Sequence, residues 1–441
     1  MEAKQVYLST KLEVSKNRLN TFFPLRTKDE RKELDWDSIL GNVISEVYRK
    51  QLAVESLADF QALCEQELKQ RLDDDAFWPV LKAMYFDTSD VLKIAPEFLL
   101  FRSEQAEDNK HNQRIGDMFV NLLGGKTLLN LSPMRLNFIE QVLFDVFESK
   151  ALKPEAKIKK KPIKEQPYLP FLAECFKQDL AFLGSKPRYL LESFHDFLRL
   201  YGFLYTSQLA HNLVNWSAGE PTPHLNYLIL DTEKASAERQ QLKDFGYHQL
   251  YKHVQLIFPY LTMNEMLQSG RDEIMPLWAL SESIQSFEAA ITMLNEFAGK
   301  FIEDRQLLKV AVEHKSDGIS ALRQVLKLSV EQFKTGNKDK DDINSNFAKA
   351  TIKHLCADFI QQRGAAGSVL VINQDYLLLL TNLVIGSNES LRLNELIKGF
   401  NQRGVFFDKQ SQAEIVQFYE RIGNVERMSD SGDAVYVRKT V

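Results

Sequence analysis

With 441 residues, 44% of them hydrophobic and 26% charged, the chain is long enough for several domains with substantial cores. Its 55 Lys and Arg stand against 60 Asp and Glu, a net charge of −5. That balance excludes an overall electrostatic footprint for nucleic acid or membrane, so any DNA affinity must be local or supplied by partners.

Cys64, Cys175 and Cys356 are widely spaced and odd in number, which argues against a disulfide framework or a zinc knuckle and suits a reducing cytoplasm. The opening MEAKQVYLST lacks the pattern of a secretory signal. No stretch supplies the ~20 uninterrupted apolar residues of a membrane span.

Residues 1–150 read as a helical domain. Between Asp35 and Leu52 the spacing of Ile39, Leu40, Val43, Ile44 and Val47 predicts one buried helix face. Ser132-Pro133 is a cap and first-turn pair for a helix carrying Ile139, Val142, Leu143, Val146 and Phe147. Residues 151–167 are a linker: the run from Lys150 to Pro167 holds seven lysines and three prolines and almost nothing to bury. A lysine run can attract phosphates, but most are solvated spacers.

A second helical domain spans 168–335, with a wide apolar face at Leu190, Leu191, Phe194, Phe197, Leu198 and Tyr201, and one strand candidate at Leu225 to Asp231. The polar run from Lys334 to Asn346 predicts a boundary before a C-terminal domain, 345–441.

The C-terminal order spells a winged helix. Asp375 to Ile385 supplies a first helix, Ser390 to Leu393 a short strand, and Asn394 a cap for a second helix ending at Arg403-Gly404. Ser411 and Glu414 stand as a capping box for a third, whose buried face is Ile415, Phe418, Tyr419 and Ile422, closed by Gly423. Two alternating runs, NVERM and AVYVR, joined by Ser429 to Asp433, make the hairpin. The expected fold is therefore mainly α: a multi-domain helical protein with a C-terminal winged-helix module.

A winged helix lays its third helix in the major groove and its hairpin on the backbone. Candidate DNA contacts are Lys409, Gln412, Gln417 and Arg421 on that helix and Arg427, Arg438 and Lys439 on the hairpin. From Asn388 to Val441 there are eight basic and eight acidic residues, so the module has little affinity for phosphates by itself, and a protein-binding role stands beside the DNA-binding one.

No enzyme chemistry declares itself. Gly125-Lys126-Thr127 lacks the first glycine of a phosphate loop, since Val120 occupies that place. The eight histidines show no metal spacing; His248 and His253, five apart, do not share a helix face. Glu155 and Lys157 imitate half of a nuclease site but sit in the linker, and Asp73, Asp74 and Asp75 are adjacent and diverge. No catalytic residue is nominated, and no metal or other cofactor is expected.

The run from Gln362, with QQRGAAGSVLVINQDYLLLLTNLVIG, RGVFFDKQS and YERIGNVERMSDSGDAVYV, resembles the C-terminal region of the DptG family, the G subunits of bacterial DNA-phosphorothioation-dependent restriction systems. The resemblance covers roughly the last eighty residues; the lysine linker followed by Tyr168-Leu169-Pro170-Phe171 is compatible with it, and residues 1–150 match nothing. It implies a non-catalytic subunit acting with F and H subunits that carry ATPase-like features, in anti-phage defence against DNA lacking the sulfur-modified backbone. Duplex DNA would be engaged in that complex. The competing expectation is a free-standing winged-helix regulator, which calls for a basic recognition helix and a dimer seam. Neither stands in the sequence.

Overall fold

A computed structural model of the chain describes residues 8–9, 11–12, 22–27, 29, 33–71, 76–103, 110–123, 134–154, 166–234, 239–271, 273–285, 288–307, 309–428 and 434–441. The protein is mainly α: among the described residues it is 67% helical, with 17 α-helices and a few short strands. The Gly125-Lys126-Thr127 turn, Asp73 to Asp75, Ser132-Pro133, most of the lysine linker with Glu155 and Lys157, and the hairpin tip Ser429 to Asp433 lie outside the described residues. The chain forms two compact units. One comprises Leu34–Ile163 with Phe176–Leu198, the other Met1–Glu33 with Lys164–Cys175 and Arg199–Thr440. No helix is long and apolar enough to cross a membrane, among the described residues.

In the first unit, α1 (Trp36–Tyr48) starts where the Asp35 carboxylate accepts the N–H groups of Asp37 and Ser38, and all five apolar residues expected on its inner face are buried. It is followed by α2 (Leu57–Arg71), α3 (Phe77–Tyr85), α4 (Lys110–Leu123) and α5 (Phe138–Val146). A cluster of phenylalanines fills the core, with Phe98 and Phe147 rings stacked at 4.6 Å and Phe60 5.2 Å from Phe101. Asn137, not Ser132, caps α5: its side chain accepts the Glu140 N–H while the Glu140 carboxylate accepts the Asn137 N–H, a reciprocal pairing within one turn of the helix start.

Helices α6 (Pro170–Gly184) and α7 (Pro187–Val214) follow. In the second unit, α7 is buried on every side from Leu200 to Leu213. Its polar residues there each have a use. Gln208 exchanges hydrogen bonds with the His224 backbone at 2.8 and 3.0 Å, and Asn212 does the same with Thr222, so a core helix holds the loop that runs alongside it.

That loop leads to β1 (Ile229–Leu230), the only part of the expected strand at 225–231 that pairs as one; Tyr227 makes an isolated bridge to Phe406. Then come α8 (Gln240–Phe245), α9 (Tyr247–Val254), α10 (Ile257–Leu267), α11 (Leu277–Gln285), α12 (Glu288–Arg305), α13 (Gly318–Glu331) and α14 (Lys338–Thr351). The polar run at 334–346 is largely helix. Its acidic and basic residues form the outer face of α14, which buries Asn344, Phe347, Ala348, Ala350 and Thr351, so residue 345 falls inside an element. Strand β3 (Ser368–Ile372) lies between β2 (Ile360–Gln362), antiparallel, and β1, parallel.

The C-terminal elements come in the expected order: α15 (Gln374–Ile385), β4 (Ser390–Arg392), α16 (Leu393–Gln402), α17 (Lys409–Arg421), β5 (Val425–Met428) and β6 (Ala434–Arg438). The three strands form an antiparallel sheet with β6 central. Local details differ from expectation. The N-cap of α16 is Arg392, two residues before Asn394, because the strand runs straight into the helix and the Glu395 carboxylate accepts the Arg392 N–H. Ile422 is 40% exposed, since α17 ends at Arg421 and Ile422 is its C-cap; Ile415, Phe418 and Tyr419 are buried. Gly404 is at φ +80°, and a Cβ there would stand 2.2 Å from the Gln208 amide nitrogen, so the turn between α16 and α17 needs a residue without a side chain.

Candidate functional site

The start of α17 is tied into the second unit by a buried ionic cluster. Asp408, not Ser411, is the N-cap: its carboxylate accepts the Ser411 N–H at 2.9 Å. Ser411 thus sits in the first turn of the helix, fully buried, and its hydroxyl is engaged elsewhere. Arg239 donates through Nε to Asp408 at 2.8 Å and also through its terminal nitrogens, one to Asp408 and to Ser411 Oγ (2.7 Å), the other to Glu233 (2.7 Å). The Ser411 hydroxyl lies 3.1 Å from the Glu233 carboxylate. Side-chain exposures are 6% for Arg239, 2% for Glu233 and 10% for Asp408.

A guanidinium satisfies two carboxylates here in its fixed fork geometry, which is what makes burial of three charges tolerable. Desolvation acts to raise the Asp408 carboxyl, but the Arg239 hydrogen bonds and the Ser411 N–H outweigh it and hold the group below its ordinary value. Further along, the Tyr419 hydroxyl meets the Thr381 hydroxyl of α15. The Asn382 side chain accepts the Thr440 N–H at 2.9 Å.

The outward stripe of α17 contains Lys409, Gln417 and Arg421, all exposed, with Glu420 beside Arg421. Gln412 is half-buried, and its amide donates to the Phe407 carbonyl at 2.8 Å. On the hairpin, Arg438 is paired with Glu426 at 2.9 Å, across the β5–β6 ladder. Lys439, only 10% exposed, is paired with Glu389 at 3.2 Å. The Arg427 side chain lies outside the described residues, although its backbone belongs to β5. Two of the three hairpin cations are therefore balanced by carboxylates far from them in sequence. The stripe and the hairpin share a module, and of its described cations Arg438 and Lys439 are already paired with carboxylates.

The fold also brings together a pair that spacing does not reveal. His211 on α7 and His253 on α9 face each other with their Nδ1 atoms 2.8 Å apart. Burial first, then the neighbouring His253 and His224, lower His211 to about 3; burial, Lys252 and His224 lower His253 to about 4. Both rings are neutral near pH 7, one donating its Nδ1 proton to the other. Within the described residues, no group of three or more His, Cys, Asp or Glu side chains gathers in a way that could hold a metal ion. The cluster is a polar lock between helices.

No family model matches the chain, and no curated protein matches it.

Proposed function

We propose that the chain is a non-catalytic assembly and DNA-docking subunit of a phosphorothioation-dependent restriction complex. In this reading it acts in the bacterial cytoplasm, with F and H subunits, on DNA that lacks the sulfur-modified backbone, and its C-terminal elements are a winged helix. Two things support the module: the order α15-β4-α16-α17-β5-β6 with β6 at the centre of the sheet, and the residue-level resemblance of the last eighty residues to the DptG family. The three cysteines, none of them in a disulfide among the described residues, suit the cytoplasm.

The observation that favours this reading over an operator-binding regulator is the buried Arg239 cluster. A recognition helix reads bases with residues near its N-terminus. Here that end is capped by Asp408, whose charge Arg239 answers, while Ser411 is buried and Gln412 is bonded to the Phe407 carbonyl. What remains for a duplex is the edge with Lys409, Gln417 and Arg421 and the hairpin with Arg427, Arg438 and Lys439. Such contacts position a protein on phosphates without reading sequence.

The test is purification of the tagged protein from its native host, followed by DNA-binding titrations on unrelated duplexes. F and H subunits should co-elute, and the complex should bind the duplexes about equally. A lone homodimer that prefers one sequence by roughly 1,000-fold would make it a regulator instead.

A further inference from the structure

Between Arg239 and Gln255, around helices α8 and α9, the chain holds three cations and one carboxylate. The carboxylate, Asp244, already accepts the Gln240 amide at 2.7 Å. Arg239 is committed to the buried cluster, but Lys243 and Lys252 are exposed, and neither forms an ion pair among the described residues. With His248, Gln249, Tyr251 and His253 they line an open groove of about 560 Å³, and Asp244 stands at the same groove. His253 gives its Nδ1 to the contact with His211, which leaves Nε2 as its nitrogen for the groove. When His211 donates the shared proton, His253 carries its own on Nε2, so the groove gains a neutral donor beside its two lysines.

What packs around the groove does not cancel that charge. Strand β3, against α9, has no charged residue. Helix α14 meets α9 where the Asn344 amide donates to the Gln255 carbonyl. Within one turn of that contact stand Lys340 and Asp341, and the Asp341 carboxylate is held by the Thr335 and Gly336 N–H groups at 3.0 and 2.9 Å. The ionic cluster at the start of α8 has one guanidinium for two carboxylates, and the exposed Lys234 and Lys409 beside it more than offset that deficit. Unpaired lysines in a groove otherwise lined by groups able to donate hydrogen bonds suit the oxygens of phosphates.

Position in the fold identifies those phosphates. Helix α8 is tied at both ends to the segment that enters α17. Its N-cap, Arg239, bonds Asp408, the N-cap of α17. At its other end the Phe245 carbonyl accepts the Tyr227 N–H at 2.9 Å, and the next N–H, of Leu228, reaches the Phe406 carbonyl at 3.0 Å. The six residues of α8 span about 9 Å, less than the ~12 Å width of a major groove. A duplex engaged at Lys409 therefore has phosphates within reach of Lys243.

We infer, on the DNA-docking reading above, that the α8–α9 groove is a second docking surface for the phosphate backbone of duplex DNA. Lys243 and Lys252 supply there the unpaired charge that Arg438 and Lys439 of the hairpin do not. The contact with DNA thus extends beyond the winged helix onto the helices braced against its third helix.

The test uses the complex purified from the native host, titrated with a short duplex of arbitrary sequence at several salt concentrations. Lys243→Gln with Lys252→Gln should flatten the slope of log affinity against log salt by about two counterions. Lys243→Arg with Lys252→Arg should keep the slope, and so should Lys300→Gln with Lys327→Gln, which removes exposed lysines of α12 and α13. Duplex binding with an unchanged slope in the Lys243 and Lys252 glutamine variant overturns this inference alone and leaves docking by the hairpin standing. An equal flattening in the Lys300 and Lys327 variant would make the effect one of net charge, and loss of a subunit on size exclusion with an unchanged slope would make the groove a protein contact; either result overturns it. A complex that binds no duplex at any salt concentration removes the DNA-docking reading and this surface together.

Discussion

Replacing Arg239 by Ala tests whether α17 is held in place by charge. The change leaves Glu233 and Asp408, 2% and 10% exposed, in one desolvated site with no cation between them. Removing one partner of a buried ion pair costs about 3 to 5 kcal/mol, a large share of the roughly 5 to 15 kcal/mol that stabilises a typical domain. With two compact units the global transition need not be two-state, so the reading should be local. Native-state hydrogen exchange of peptides from α17 reports the opening of that helix directly.

Asp408→Asn separates the two roles of that residue. Asparagine caps a helix as well as aspartate does, so most of what this variant loses is the charge interaction with Arg239. The wild-type stabilisation also has a pH signature. Because the Asp408 carboxyl is held below its ordinary value, its contribution is complete above the ordinary aspartate range near ~3.9 and is lost as pH falls below it. In the Arg239→Ala protein the unopposed desolvation acts the other way and favours protonation. The stability gap between the two proteins should therefore narrow as the solution is acidified below about pH 5. An Arg239→Ala protein whose α17 amides exchange within about 0.5 kcal/mol of wild type at pH 7 would refute the argument, since that is the range of changes that touch nothing important.

Three further outcomes follow from the same geometry. Phe418→Ala should cost about 3 to 5 kcal/mol, because the ring is 2% exposed, while Ile422→Ala, at a 40% exposed C-cap, should stay within about 0.5 kcal/mol; urea midpoints measure both. Replacing Arg427, Arg438 and Lys439 together should flatten the salt dependence of DNA binding by the complex by up to roughly three counterions, and Glu426→Ala, which releases Arg438, should strengthen binding; an unchanged slope with loss of a subunit on size exclusion would mean that the hairpin packs on protein. With both His211 and His253 depressed, the unfolded chain binds protons there before the folded one does, so stability should decline as pH falls from about 6.5 toward about 4, and His211→Gln should make that decline shallower in thermal melts.

How far the sequence carries can be judged at α17. The pattern S-x-x-E at Ser411 and Glu414 is a valid capping signal, and Asp408 three residues earlier is another. Local order cannot choose between them. Arg239 chooses, by drawing Asp408 and the Ser411 hydroxyl into one cluster from 169 and 172 residues away. The same limit explains α14. Its charged composition resembles a boundary because the residues that bury its inner face, among them Phe347 and Ala348, are clustered at its far end. By contrast α1, α15 and the buried trio Ile415, Phe418 and Tyr419 are legible because each depends only on spacing within one or two turns and on a cap next to it.

The candidate site was the least legible part for a related reason. Lys409, Arg421, Arg427, Arg438 and Lys439 are nominated by their charge, and charge counted along a chain says nothing of what stands opposite it in a sheet. Glu426 reaches Arg438 because β5 and β6 are paired in a register that sets Glu426 against Tyr436, and Glu389 reaches Lys439 because β4 lies on the other side of β6. These are pairs 12 and 50 residues apart, beyond any helical spacing rule. The electrostatic case for DNA contact must therefore start from the sheet register. On that basis Arg438 and Lys439 are cations that phosphates could claim only in competition with Glu426 and Glu389. Such pairing fits the proposed docking, weak and salt-sensitive, better than it fits the independent binding of a regulator.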